Sequence, residues 1–151
     1  MHPLLRHAPV MLAMLFAGRA LAMVVVNEPW VRVTAHARTA EVYMRISSSE
    51  DARLVTVSSP AAKSVTLRSP LVSKRVATGI ELPPHQTILL APDGYRVELK
   101  KFVKPIRLGQ RIPLTLTVRS GDGTTQDIAI TAEVRHHSPS EDEATGHSHR
   151  H

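Results

Sequence analysis

Across residues 28–134 apolar and polar side chains alternate, and a two-residue period is the signature of strands that bury one face. The runs Trp30-Val-Arg-Val-Thr34, Val42-Tyr-Met-Arg-Ile46, Leu54-Val-Thr-Val57 and Val65-Thr-Leu-Arg68 carry it first. Thr87-Ile-Leu-Leu90, Tyr95-Arg-Val-Glu-Leu99, Ile112-Pro-Leu-Thr-Leu-Thr-Val118 and Ile128-Ala-Ile130 continue it. Turn-forming clusters punctuate the runs: Ser47-Ser-Ser-Glu-Asp51, Pro83-Pro84, Pro92-Asp-Gly94 and Gly121-Asp-Gly123. The body holds no amphipathic helical pattern, apart from a single turn predicted at 59–63. The pattern predicts an all-β antiparallel sandwich or barrel, with Pro113 at an edge or a strand entry.

Residues 1–22 read as a secretory signal peptide. Arg6 supplies the positive n-region, residues 10–17 the apolar stretch, and Ala20-Leu-Ala22 a small-x-small cleavage site. The apolar stretch is too short to span a bilayer, so cleavage would leave no stable membrane anchor. An uncleaved anchor is the alternative. The predicted division is signal 1–22, sandwich 23–134 and tail 135–151. Export places the chain in the periplasm. The sequence contains no cysteine, which removes thiolate ligands and thiol catalysis from consideration.

The formal net charge is +6, and it stays positive when Arg6 and Arg19 leave with the signal. One Trp, two Tyr and two Phe provide no stacking platform, so the basic balance does not point to nucleic acid. Lys100, Lys101, Lys104, Arg107 and Arg111 read as a solvated, aggregation-resistant edge; the other reading is a docking patch for an acidic partner. No catalytic triad, paired-carboxylate pocket, phosphate loop or zinc-hydrolase motif is present. The chain reads as a non-enzyme.

The tail holds five of the nine histidines and no large apolar side chain, so it cannot offset its own ordering entropy and is predicted to be disordered. His136, His137, His147, His149 and His151 present imidazole nitrogens at short spacing, a donor set for copper, with nickel or zinc as alternatives. Glu141, Asp142 and Glu143 add attraction for a cation. Elsewhere, His36 and His85 read as ordinary surface histidines and Met44 as core packing. Met23 reaches a metal only through a flexible arm.

The ordered segments Glu28-Pro-Trp-Val-Arg32, Ala40-Glu-Val-Tyr-Met-Arg-Ile46, Leu54-Val-Thr-Val-Ser-Ser-Pro-Ala-Ala62 and Val65-Thr-Leu67 carry a resemblance. Gly79-Ile-Glu-Leu-Pro83, Pro92-Asp-Gly-Tyr95 and Ile112-Pro-Leu-Thr-Leu-Thr117 complete it. In that order and spacing the chain resembles the periplasmic PCuAC-like copper chaperones, which deliver copper toward cytochrome oxidase. The resemblance implies a cupredoxin-like/Ig-like Greek-key β-sandwich. It also implies partners among cytochrome oxidase assembly factors or other envelope proteins.

It further implies that Cu(I) is held by His and Met on the sandwich face. One His would follow Val65-Thr-Leu67, a Met would precede Gly79, and a His-x-Met pair would follow Gly94-Tyr95. This chain has Arg68, the neighbourhood of Lys74 and Arg75, and Arg96 and Glu98 at those positions, with Lys100 next on the same face. Guanidinium offers no lone pair, and carboxylate is a hard ligand poorly matched to Cu(I). Arg68, Arg96 and Glu98 are instead expected to form a cross-strand ion-pair network on a solvated face. The sequence thus predicts a copper-chaperone-like protein with a degenerate Cu(I) face that captures copper through its tail. The competing reading is a periplasmic interaction or scaffold protein that handles no metal.

Overall fold

The structure, a computed structural model, describes residues 21–34, 38–70 and 78–139. The signal assignment, His36, Lys74, Arg75, His147, His149 and His151 fall outside the described residues, wholly or nearly so. Nine strands are formed among the described residues: β1 (Val24–Val33), β2 (Thr39–Ser48), β3 (Ala52–Ser58), β4 (Ala62–Arg68) and β5 (Ile80–Leu82) come first. β6 (Ile88–Leu90), β7 (Arg96–Phe102), β8 (Arg111–Ser120) and β9 (Thr125–Val134) follow. Among the described residues up to Ser138, no helix forms.

Alternation converts directly into burial. Along β8, Ile112, Leu114, Leu116, Val118 and Ser120 are buried while Arg111, Pro113 and Arg119 are exposed. On β2, Ala40, Val42, Met44 and Ile46 face the same core, so Met44 is packing. Burying such side chains stabilises by about 1.5–3 kcal/mol each, which offsets the entropy of ordering the strands.

The strands are ordered β4-β7-β2-β1-β9-β8-β3-β5, with β6 pairing β2 beyond β7. β3 and β4 are consecutive in sequence yet stand near opposite ends of that order. Residues 59–61 are all that join them, so the sheet must curl until its two ends meet, and β3 does contact β4. The result is a cupredoxin-like/Ig-like β-sandwich: β4, β7, β2 and β6 form one layer, β9, β8, β3 and β5 the other, and β1 belongs to both. The strand pairings are antiparallel except that of β1 with β9, which is parallel at Trp30–Glu133 and Val31–Val134.

A bulge lets β1 serve two layers. Asn27 pairs with Arg45 and Trp30 with Tyr43, so Glu28 and Pro29 together oppose Met44. Glu28 takes a φ of 50° there, and its carboxylate lies 3.5 Å from Arg45. Bulges bend strands, and Pro, having no N–H to donate, fits in one. The parallel pairing with β9 begins immediately afterward. Pro113 stands at a strand entry: it pairs with Thr131 of β9, whereas the β3 ladder starts only at Thr115. Its carbonyl accepts a hydrogen bond from Ser59 Oγ at 2.7 Å.

Candidate functional site

Four neighbouring strands put their outward residues on one face. β1 contributes Trp30 and Arg32, β2 Glu41 and Tyr43, β7 Arg96, Glu98 and Lys100, and β4 Arg68. Register sets the neighbours: Arg32 opposes Glu41, Glu41 opposes Glu98, and Arg68 opposes Arg96. Two carboxylates and two guanidiniums thus meet their own kind directly across a ladder, which is unfavourable unless opposite charges intervene.

They do intervene: Arg32 from directly across, Arg96 and Arg68 along diagonals, and Lys100 from two positions on along β7. Glu41 lies 3.1 Å from Arg32 and 3.2 Å from Arg96. Glu98 lies 3.0 Å from Arg68 and 3.2 Å from Lys100. The Tyr43 hydroxyl donates to Glu41, the Arg32 guanidinium sits 5.2 Å from the centre of the Tyr43 ring, and Trp30 packs on that ring at 4.9 Å. Cation–π and tilted aromatic contacts of this kind reinforce the ion pairs.

The centre of the network is sheltered from solvent, while Arg32 and Lys100 at its margins keep 42% and 45% of their exposure. The Arg96 side chain keeps only 11% of its exposure, and Glu41 and Glu98 each keep 18%. Burial pushes the Glu98 carboxyl up, yet the hydrogen bonds from Arg68 and Lys100 together outweigh it and hold the group below its ordinary value. Burial, followed by the hydrogen bond to Glu41, pushes the Tyr43 phenol well above its usual range, so it stays a donor.

The expected network is therefore present with two differences. The face is half-buried rather than solvated, and Arg96 joins through Glu41, a residue that the sequence reading did not single out. Glu41 is 55 positions from Arg96 in sequence, and only the pairing of β2 with β7 brings the two together. Chemically, this face carries guanidinium, ammonium and carboxylate groups already committed to one another. Guanidinium and ammonium offer no lone pair, and carboxylate is a harder donor than the sulfur and imidazole that suit Cu(I).

The histidines lie elsewhere. His136 and His137 follow directly on β9, where Arg135 N donates to Val31 O at 2.9 Å. Both are exposed, with ring centroids 6.3 Å apart. His85 is exposed in a turn with a φ of 58°, its amide donating to Ser48 O at 2.8 Å. Met23 is 70% exposed beside Ser49. Among the described residues, no three His, Cys, Asp or Glu side chains gather in a metal-binding group.

Known proteins share this fold. A family profile described as "Putative lipoprotein LpqE-like" matches residues 24–134, the whole sandwich. A curated relative from Leifsonia xyli subsp. xyli, described as a "putative lipoprotein", is 29% identical over 120 residues, covering 75% of this chain and 71% of that protein. The copper-bound PCuAC domain from PmoF2 is 27% identical with a TM-score of 0.61, covering 74% of this chain and 92% of the domain. The CuI-DR1885 solution structure from Deinococcus radiodurans is 25% identical with a TM-score of 0.54, covering 82% of this chain and 85% of that one. With the profile running from the first residue of β1 to the last of β9, the chain belongs to the LpqE-like family, which is the PCuAC-like family.

Proposed function

We propose that this chain is a periplasmic copper-handling protein of the chaperone type whose sandwich face has given up Cu(I) and whose histidine tail captures copper instead. One observation carries the first half. Arg68, Arg96 and Glu98 stand where the family resemblance calls for His and Met, and they are held in a half-buried network with Glu41 and Lys100. Support for copper as cargo comes from the neighbours, two of which are copper-bound forms of the same domain. The tail half rests on the donor set: His136, His137, His147, His149 and His151 supply nitrogens that suit Cu(II) above nickel or zinc. An envelope location agrees with the lipoprotein family, and the receiving partner is then another envelope protein, an oxidase assembly factor being the first candidate.

Imidazole ligates only when neutral, and ordinary histidine titrates near about 6.5. Copper(II) titration of the chain from Met23 onward should therefore show binding of roughly micromolar strength near pH 7.4 that fades as the pH falls through about 6. Binding undiminished at pH 5 would sink the tail reading. The second reading, an interaction protein that handles no metal, is favoured by the same ion-paired face. It takes the lead if no copper binds at either pH.

A further inference from the structure

One end of the sandwich is far more basic than the other. β2 starts there, while β1, β7 and β9 finish there. Thr39 opposes Lys100, so Arg38 lies beside Lys101 on one side, and the β4 register places Lys63 beside Lys101 on the other. The loop that follows β7 crosses the same end and carries Lys104 and Arg107, and Arg111 begins β8. Arg38, Lys63, Lys101, Lys104, Arg107 and Arg111 are all exposed, and none pairs with a carboxylate among the described residues. The acidic Glu50, Asp51, Glu81 and Asp122 belong to the opposite end together with Arg53 and Arg119, while at the basic end Glu133 opposes Arg111 and lies 3.4 Å from Arg135.

Adjacent like charges cost stability unless an outside countercharge meets them. The same loop also exposes two large apolar side chains, Val103 at 56% and Leu108 at 57%. It is pinned rather than slack: Val103 N donates to Ala61 O at 3.0 Å, Gly109 N to Val134 O at 2.9 Å and Gln110 N to Arg107 O at 3.1 Å. An acidic protein surface would satisfy the cations alone. Cations flanking apolar side chains on a pinned loop fit a bilayer, whose headgroups meet the charges while its acyl boundary takes the apolar groups.

We propose that this basic end docks on an anionic phospholipid surface, with Val103 and Leu108 inserted and Lys101, Lys104, Arg107 and Arg111 on the headgroups. The opposite polarity of the two ends would orient the molecule as it approaches.

The test is cosedimentation of the 151-residue chain with vesicles of phosphatidylcholine alone and with roughly 30% phosphatidylglycerol added. Residues 1–22 carry Arg6 and Arg19 and themselves favour anionic lipid, so the difference between the parent and variants that share them isolates the basic end. The expected result is binding that needs the anionic lipid and weakens with salt. It should fall by more than about tenfold in Lys104→Gln/Arg107→Gln/Arg111→Gln, since each cation at such a surface contributes about fivefold. Arg119→Gln, at the other end, should sediment as the parent does, and Leu108→Ser should sediment less. Equal sedimentation with both compositions, or a triple variant that behaves like the parent, overturns the proposal. Charge-dependent capture of polyglutamate without vesicle binding overturns it too, and assigns the end to an acidic protein.

Discussion

Glu98 shows how the face is held together. Its carboxylate binds Arg68 and Lys100, and its folded-state pKa lies below the ordinary value because those bonds outweigh burial. A depressed carboxylate contributes stability above its unfolded pKa and loses it as the pH falls through the folded one. Glu98→Gln should therefore cost about 1 kcal/mol at neutral pH, measured by urea unfolding, and the difference from the parent should vanish in strong acid. A cost that persisted undiminished at pH 2 would mean that packing, not charge, holds the residue. The complementary substitution rebuilds the soft ligands. Residues 96 and 98 point to one side of β7, so Arg68→His/Arg96→His/Glu98→Met with Lys74→Met should gain Cu(I) affinity by at least about tenfold in a chelator competition. No gain would mean that these positions do not converge on an ion.

At the scale of elements, legibility followed locality. β8 was readable because Ile112, Leu114, Leu116 and Val118 alternate without interruption. β5 was not recognised as a strand, since three residues around Glu81 give periodicity nothing to count. The parallel contact of β1 with β9 joins residues about a hundred positions apart, and a bulge at Glu28 prepares it; neither leaves a local pattern. The candidate face divided the same way. Alternation along β7 put Arg96, Glu98 and Lys100 together, but the partnership with Glu41 depends on which strand lies next door. Glycine at position 79 was legible only as part of a family segment, and the structure supplies its reason. Its φ is +86°, and a Cβ there would stand 2.3 Å from the Leu54 carbonyl oxygen, at the pairing of β5 with β3. Gly79→Ala should cost more than about 2 kcal/mol, seen as a lowered urea midpoint. An unchanged midpoint would show that β5 is dispensable to the fold.

The whole molecule separates its tasks in space. A closed core between two layers sets the shape, an ion-paired face covers β4, β7 and β2, and the histidines begin where β9 ends. Among the described residues, none beyond Val134 belongs to the core, and the Arg135 amide donates to Val31 O. A chain from Met23 to Val134 should accordingly unfold at nearly the same urea concentration as one running to His151. Copper(II) titration of the same two proteins at pH 7.4 separates tail from sandwich. Binding of roughly micromolar strength is expected of the longer chain and none of that strength of the shorter. Equal copper binding by both would place the metal on the sandwich and rule out capture by the tail.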